Sequence, residues 1–157
     1  MADLRPADDV SILDGDRVFI RFFASPDSAK PVAPPQAGVY RPNSGALLPR
    51  RKDEAISADL ASLCSAHETR DRGGLASLFN VAVIEVATIR QLGLRVRRDP
   101  IADGEQDGPN PAHVQILGSR PNAVGDLTGG LKRPEAEKLA IAARLALPPH
   151  HPVPDGT

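Results

Sequence analysis

His113 closes the segment Asp107-Gly-Pro-Asn-Pro-Ala-His113, a turn of rigid and polar residues that delivers an imidazole to the start of an alternating apolar stretch. An imidazole titrates near neutral pH, and loops at strand ends commonly carry reactive groups, so His113 is the first candidate general acid or base. The competing role is structural, with Asn110 and Pro111 shaping the loop and His113 bonded to backbone. A second set joins Cys64 as a thiol nucleophile to His67 and His113 as bases. No local signature of a cysteine hydrolase surrounds Cys64, and a small core position suits it better. Cys64 is the only cysteine, so neither an internal disulfide nor a cysteine zinc site can staple the chain. His150-His151 with Asp155, or Asp103 with Glu105 and Asp107, have neither zinc-site spacing nor the glycine and terminal Glu of a calcium loop, so no metal is assigned.

The pair His67-Glu-Thr69 and His113-Val-Gln115 resembles the two His-x-Thr/Ser motifs that carry phosphoester chemistry on facing strands in the 2H phosphoesterase family. Gln115 stands where that family has Thr or Ser, and the resemblance covers six residues of 157. It implies an enzyme acting on phosphoesters or RNA with His113 and His67 as its catalytic residues. No family is recognised across the rest of the chain.

Two basic clusters could hold anions. Arg50, Arg51 and Lys52 follow a Pro-rich stretch, and Arg90, Arg95, Arg97 and Arg98 surround a second site where Arg95 and Arg97 share one strand face. Arg50, Arg51, Arg95 and Arg97 are therefore the candidate anion-binding residues. Asp53, Glu54 and Asp99 neutralise part of that field, and there is no aromatic platform on which bases would stack. Gly73-Gly74 and Gly129-Gly130 lack the pattern of a phosphate loop and are read as turns.

The elements that must position these residues follow from periodicity and punctuation. Residues 1–15 read as a flexible acidic arm. Arg17 to Phe23 alternates as a strand, covered on both sides. Residues 25–52 hold six prolines and read as one long loop, since each proline removes a donor and disfavours helix before it. Ser57 to His67 is expected as a short helix capped by Ser57, and Gly74 to Gly93 as a long amphipathic helix ending at Gly93. Leu94 to Arg97 and His113 to Leu117 alternate as two strands that pair, with loops at 99–111 and 118–130. Pro134 opens a last helix that Pro148 stops, and residues 148–157 are expected to be disordered.

These elements sum to an α+β fold: a small single domain over residues 16–147, with a short antiparallel sheet packed against two or three helices. With one Tyr, four Phe and no Trp, its core rests on Leu, Ile, Val and Ala. A net charge of −1 gives no global attraction to nucleic acid or an anionic membrane. No apolar run has the roughly 20 residues needed to cross a bilayer, and the N-terminus lacks the basic start and apolar centre of a secretory signal. The expectation is a cytoplasmic protein, and 15 Arg against 4 Lys, with abundant Ala and Pro, suggests a GC-rich bacterial source. No complete catalytic or metal constellation emerges, so the first functional expectation is a non-catalytic accessory module that binds a protein partner and needs no cofactor. The phosphoester or RNA enzyme is the alternative, and a nucleic-acid-binding protein using its Arg clusters is the third.

Overall fold

The computed structural model describes residues 8–49, 54–74, 76–99, 110–121 and 127–153. In chain order the elements are β1 (Arg17–Phe23), β2 (Ala29–Gln36), β3 (Val39–Pro42), β4 (Ile56–Leu60), α1 (Ala66–Asp71), β5 (Phe79–Glu85) and α2 (Val86–Gln91). They continue with β6 (Arg95–Arg98), β7 (His113–Leu117), β8 (Arg120–Pro121), β9 (Leu127–Gly130), α3 (Arg133–Ala142) and β10 (Arg144–Leu145). Six strands form one antiparallel sheet in the order β10-β5-β1-β4-β7-β6, while β2 with β3 and β8 with β9 form small two-stranded ladders. The architecture is a small α+β domain with a mostly antiparallel sheet and few, short helices. No helix among the described residues is long and apolar enough to cross a membrane.

Strand alternation sends every second side chain to one face. Val18, Ile20 and Phe22 of β1, Ile56, Ala58 and Leu60 of β4, Ala82 and Ile84 of β5, Val96 of β6 and Val114 and Ile116 of β7 join one buried cluster. Val86 and Ile89 of α2 and Ala136, Leu139 and Ala140 of α3 complete it. Phe22 is the aromatic in this cluster, and the rest is aliphatic.

The long helix expected over 74–93 is instead strand β5 followed by the short α2. β5 is an interior strand, pairing with β1 along its whole length and with the short edge strand β10 on its other side, and Val81 and Ala82 on its two faces are both fully buried. A strand covered on both faces reads as a continuous apolar run, which helical spacing matches by chance, and the β-branched Val81, Val83 and Ile84 were the signal favouring strand. Gly93 does end the helix, at φ 81°. The helix expected over 57–67 divides in the same way: Ile56–Leu60 pairs with β7 as β4, and α1 starts later. Its true start is a capping box in which Ser65 Oγ accepts from the Glu68 amide at 3.1 Å and Glu68 accepts from the Ser65 amide at 3.0 Å.

Prolines did not keep 25–52 irregular. Ala29–Gln36 pairs with Val39–Pro42 around Gly38, whose φ of 74° suits the hairpin turn. The expected loop at 118–130 contains β8 and β9, and α3 ends at Ala142 because Arg144 and Leu145 pair with Val83 and Ala82. The expected pairing of the two strands after Gly93 is present as β6 with β7.

Both ends of the chain are tied down where they are described. Arg90 donates to Asp14 Oδ1 at 2.7 Å, to Ile12 O at 2.7 Å and to Asp9 O at 3.0 Å, and pairs with Asp8 Oδ2 at 3.0 Å. Ile12 thereby enters the core at 2% exposure. Beyond β10, the His150 amide donates to Asn80 Oδ1 at 3.1 Å and the Ala146 amide to Val81 O at 2.8 Å. The arm and tail are therefore held to the domain over 8–16 and 146–150, through partners too distant in sequence for local patterning to reveal.

Candidate functional site

The candidate residues sit on the sheet face opposite the apolar cluster. β7 carries His113 and Gln115 there, and pairing with β6 places Arg97 opposite Gln115 and Arg95 opposite Leu117. His113 and Arg97 thus share one face, but each is already engaged. The His113 ring meets Asp99 O at 2.7 Å through Nδ1, so Nδ1 carries the proton and donates, and the Asp99 carboxylate lies 3.3 Å away. Its side chain is 12% exposed. Arg97 Nη2 donates to Gln115 Oε1 at 2.6 Å. His67 belongs to α1, where its Nδ1 lies 3.3 Å from Arg70 Nη2, and no hydrogen bond joins it to His113. Arg50 and Arg51 lie outside the described residues, as do Asp103, Glu105, Asp107 and Asp155. Of the terminal histidines, His150 uses Nε2 on Ala76 O at 2.9 Å.

Beside His113 in the β4–β7 register stands Asp59, which sequence reasoning did not single out. Its carboxylate is the hub of a buried polar cluster. Asn110 Nδ2 donates to Oδ1 at 2.8 Å, while Thr69 Oγ1 and Arg72 Nη2 donate to Oδ2 at 2.8 and 3.0 Å. Cys64 Sγ lies 3.4 Å from Thr69 Oγ1 and 3.5 Å from Leu60 O. Burial pushes the Cys64 thiol above its ordinary value, and the nearby Asp59 charge adds to this against the opposing Thr69 hydrogen bond. Cys64 therefore stays protonated at neutral pH, the wrong state for a nucleophile. With three donors on the Asp59 carboxylate, the cluster clamps α1 and the Asn110 turn to the sheet. The available signal was an acid set between Ala58 and Leu60 in a strand, since a buried carboxylate requires partners.

A concave surface opens at the far end of β1. β1 and β4 are in register only at Val18 with Leu60 and Phe19 with Asp59. Beyond these pairs a cavity of about 280 Å³ lies between Ile20–Phe23, residues 46–49, residues 54–57 and Phe79. Its rim is aromatic and cationic: Phe23 stacks on Phe79 with centroids 4.9 Å apart, and the Arg21 guanidinium lies 4.1 Å from the Phe79 centroid. Arg21 Nη1 also donates to Arg72 O at 2.7 Å, which fixes its direction. Phe23 and the adjacent Leu78 remain 49% and 47% exposed.

No family model, curated protein or solved structure matches the chain.

Proposed function

We propose that the chain is a non-catalytic interaction module that receives a protein partner at the cleft between β1 and β4. The observation that carries this reading is the largely apolar cavity rimmed by half-exposed Phe23, with an Arg held over the Phe79 ring beside it and half-exposed Leu78 preceding Phe79 in the chain. Aromatic and Arg side chains at an apolar concavity are the chemistry that dominates protein interfaces, where a partner's apolar side chain fills the cavity and a polar rim excludes water. Among the exposed large apolar side chains, which also include Val10, Leu13, Leu63 and Ile141, Phe23 is the one that lines this cavity.

The phosphoesterase and ribonuclease reading has less support, because His113 is bonded to the Asp99 backbone and has neither His67 nor a ligand-ready Arg97 beside it. For the nucleic-acid reading, Arg97 keeps its charge while one of its donors is held by Gln115, and Arg50 and Arg51 lie outside the described residues.

The test is purification of the tagged chain from its native cell after nuclease treatment, in parallel with Phe23→Asp and Leu78→Asp. A stoichiometric protein recovered with the wild type and lost from both variants is the expected result. Recovery of the same proteins with all three chains, or of none with the wild type, would remove this reading.

A further inference from the structure

The opposite end of β1 and β5 carries a second concavity, remote from Phe23, and its lining differs in kind. Arg17 stands opposite Glu85 in the β1–β5 register, and Arg144 stands opposite Val83 on the other side of β5. Residues two apart in a strand share a face, so Arg17, Glu85, Val83 and Arg144 all project from the same side of the sheet. Thr88 and Ala142 close a groove of about 310 Å³ around them.

Opposite charges placed directly across adjacent strands ordinarily pair. Here they do not: no hydrogen bond or ion pair engages the side chain of Arg17 or of Glu85 among the described residues. The two charges face the groove from its walls instead of closing it. Arg144 is held at the rim, where its Nη1 donates to Ile141 O and Ala143 O, both at 2.9 Å, leaving Nε and Nη2 to turn elsewhere. The floor between the charges is the hydrocarbon of Val83 and Ala142.

We propose that this groove binds a small molecule carrying both a carboxylate and an ammonium group next to a hydrocarbon side chain, a ligand of the α-amino-acid type. Two guanidiniums suit a carboxylate, Glu85 suits an ammonium, and the apolar floor suits the side chain. A ligand with the anion alone leaves Glu85 facing an uncompensated negative group, and one with the amine alone meets two cations. The volume lies at the small end of ligand pockets, which fits a molecule of this size and little larger. The inference is independent of the partner cleft, since the two concavities occupy opposite ends of the same strands.

Calorimetric titration of the full chain tests it with three probes: L-leucine, 4-methylpentanoate, which lacks the amine, and 3-methylbutylamine, which lacks the carboxylate. Leucine is expected to bind at about millimolar concentration or tighter, with each single-charge analogue weaker by about tenfold or more. Arg17→Gln should weaken leucine about tenfold. Glu85→Gln should weaken leucine while binding 4-methylpentanoate as well as the wild type or better, a reversal that a merely damaged fold cannot produce. Both residues are exposed, so circular dichroism should report wild-type folding for both variants. Equal affinity for the three probes, no binding of leucine at 10 mM, or variants that bind as the wild type would each overturn the proposal.

Discussion

Asp59 is a buried residue, 5% exposed, with its carboxylate surrounded by Asn110, Thr69 and Arg72, so the cost of removing it falls on the partners left behind. Asp59→Ala would strand a largely buried guanidinium and is expected to destabilise the fold by about 3 kcal/mol in chemical denaturation. A loss under about 1 kcal/mol would show that the cluster is not what holds α1 to the sheet. Cys64 follows from the same cluster. Its raised pKa and partial burial predict that iodoacetamide at pH 8 modifies the native chain at least about tenfold more slowly than the denatured chain, and equal rates would contradict the placement. At this scale the sequence was legible where a residue's role is local. Gly93 and the face shared by Arg95 and Arg97 could be read, because each depends on near neighbours. The Asp59 hub could not, because Thr69, Arg72 and Asn110 reach it only once β4, α1 and β7 have come together.

Among the elements, β5 shows why period alone misleads. A strand buried on both faces has no polar alternation to display, so Leu75 to Ile89 matched a helix that the sheet does not use. The edge strand β6 poses the reverse question, since nothing in Arg95–Arg98 says what covers its outer side. The answer is Asp8 and Asp9: Asp8 Oδ1 accepts from the Val96 amide at 3.0 Å, Asp9 Oδ2 accepts from the Arg98 amide at 3.3 Å, and the Asp9 amide donates to Val96 O at 2.8 Å. Two carboxylates and one backbone amide here stand in for a seventh strand, and Arg90 is the pin. Arg90→Ala is expected to raise hydrogen exchange throughout residues 8–16 and at Val96 and Arg98, while leaving the β1–β5 amides protected. Unchanged exchange at Val96 would show that the strap stands without its pin.

For the molecule as a whole, both borders of the sheet are covered, one by this strap and the other by the tail and by β3 packed beside β10. An uncovered edge pairs readily with another chain. A chain beginning at Val10 lacks both edge carboxylates and is expected to self-associate in light scattering at neutral pH where the full chain does not. The same logic sets an acid limit. Hydrogen bonds from the Ser11 hydroxyl and amide, with a smaller share from Arg98, hold Asp9 below its ordinary value of 3.8. A depressed carboxylate contributes its stability in full above 3.8 and loses it as pH falls through the lower folded value, so exchange at Arg98 should begin to rise only below about pH 4. At this scale the α+β class and the antiparallel pairing of β6 with β7 were legible, whereas the strand order was not, since it is decided by which distant segments meet.

That strand order also governs timing. Among the described strands, β6 and β7 are the pair directly consecutive in the chain that also lie side by side in the six-stranded sheet; β1 meets β4 across the β2–β3 hairpin, β1 pairs on its other side with the later β5, and β5 waits for β10. Loop closure over such spans must precede any reward from pairing, which places folding in the milliseconds-to-seconds range of β-rich topologies. During synthesis β5 is paired on one side only until residues 144 and 145 have been made, so a chain cut off before Arg144 would present the outer side of β5 as a new, unpaired border.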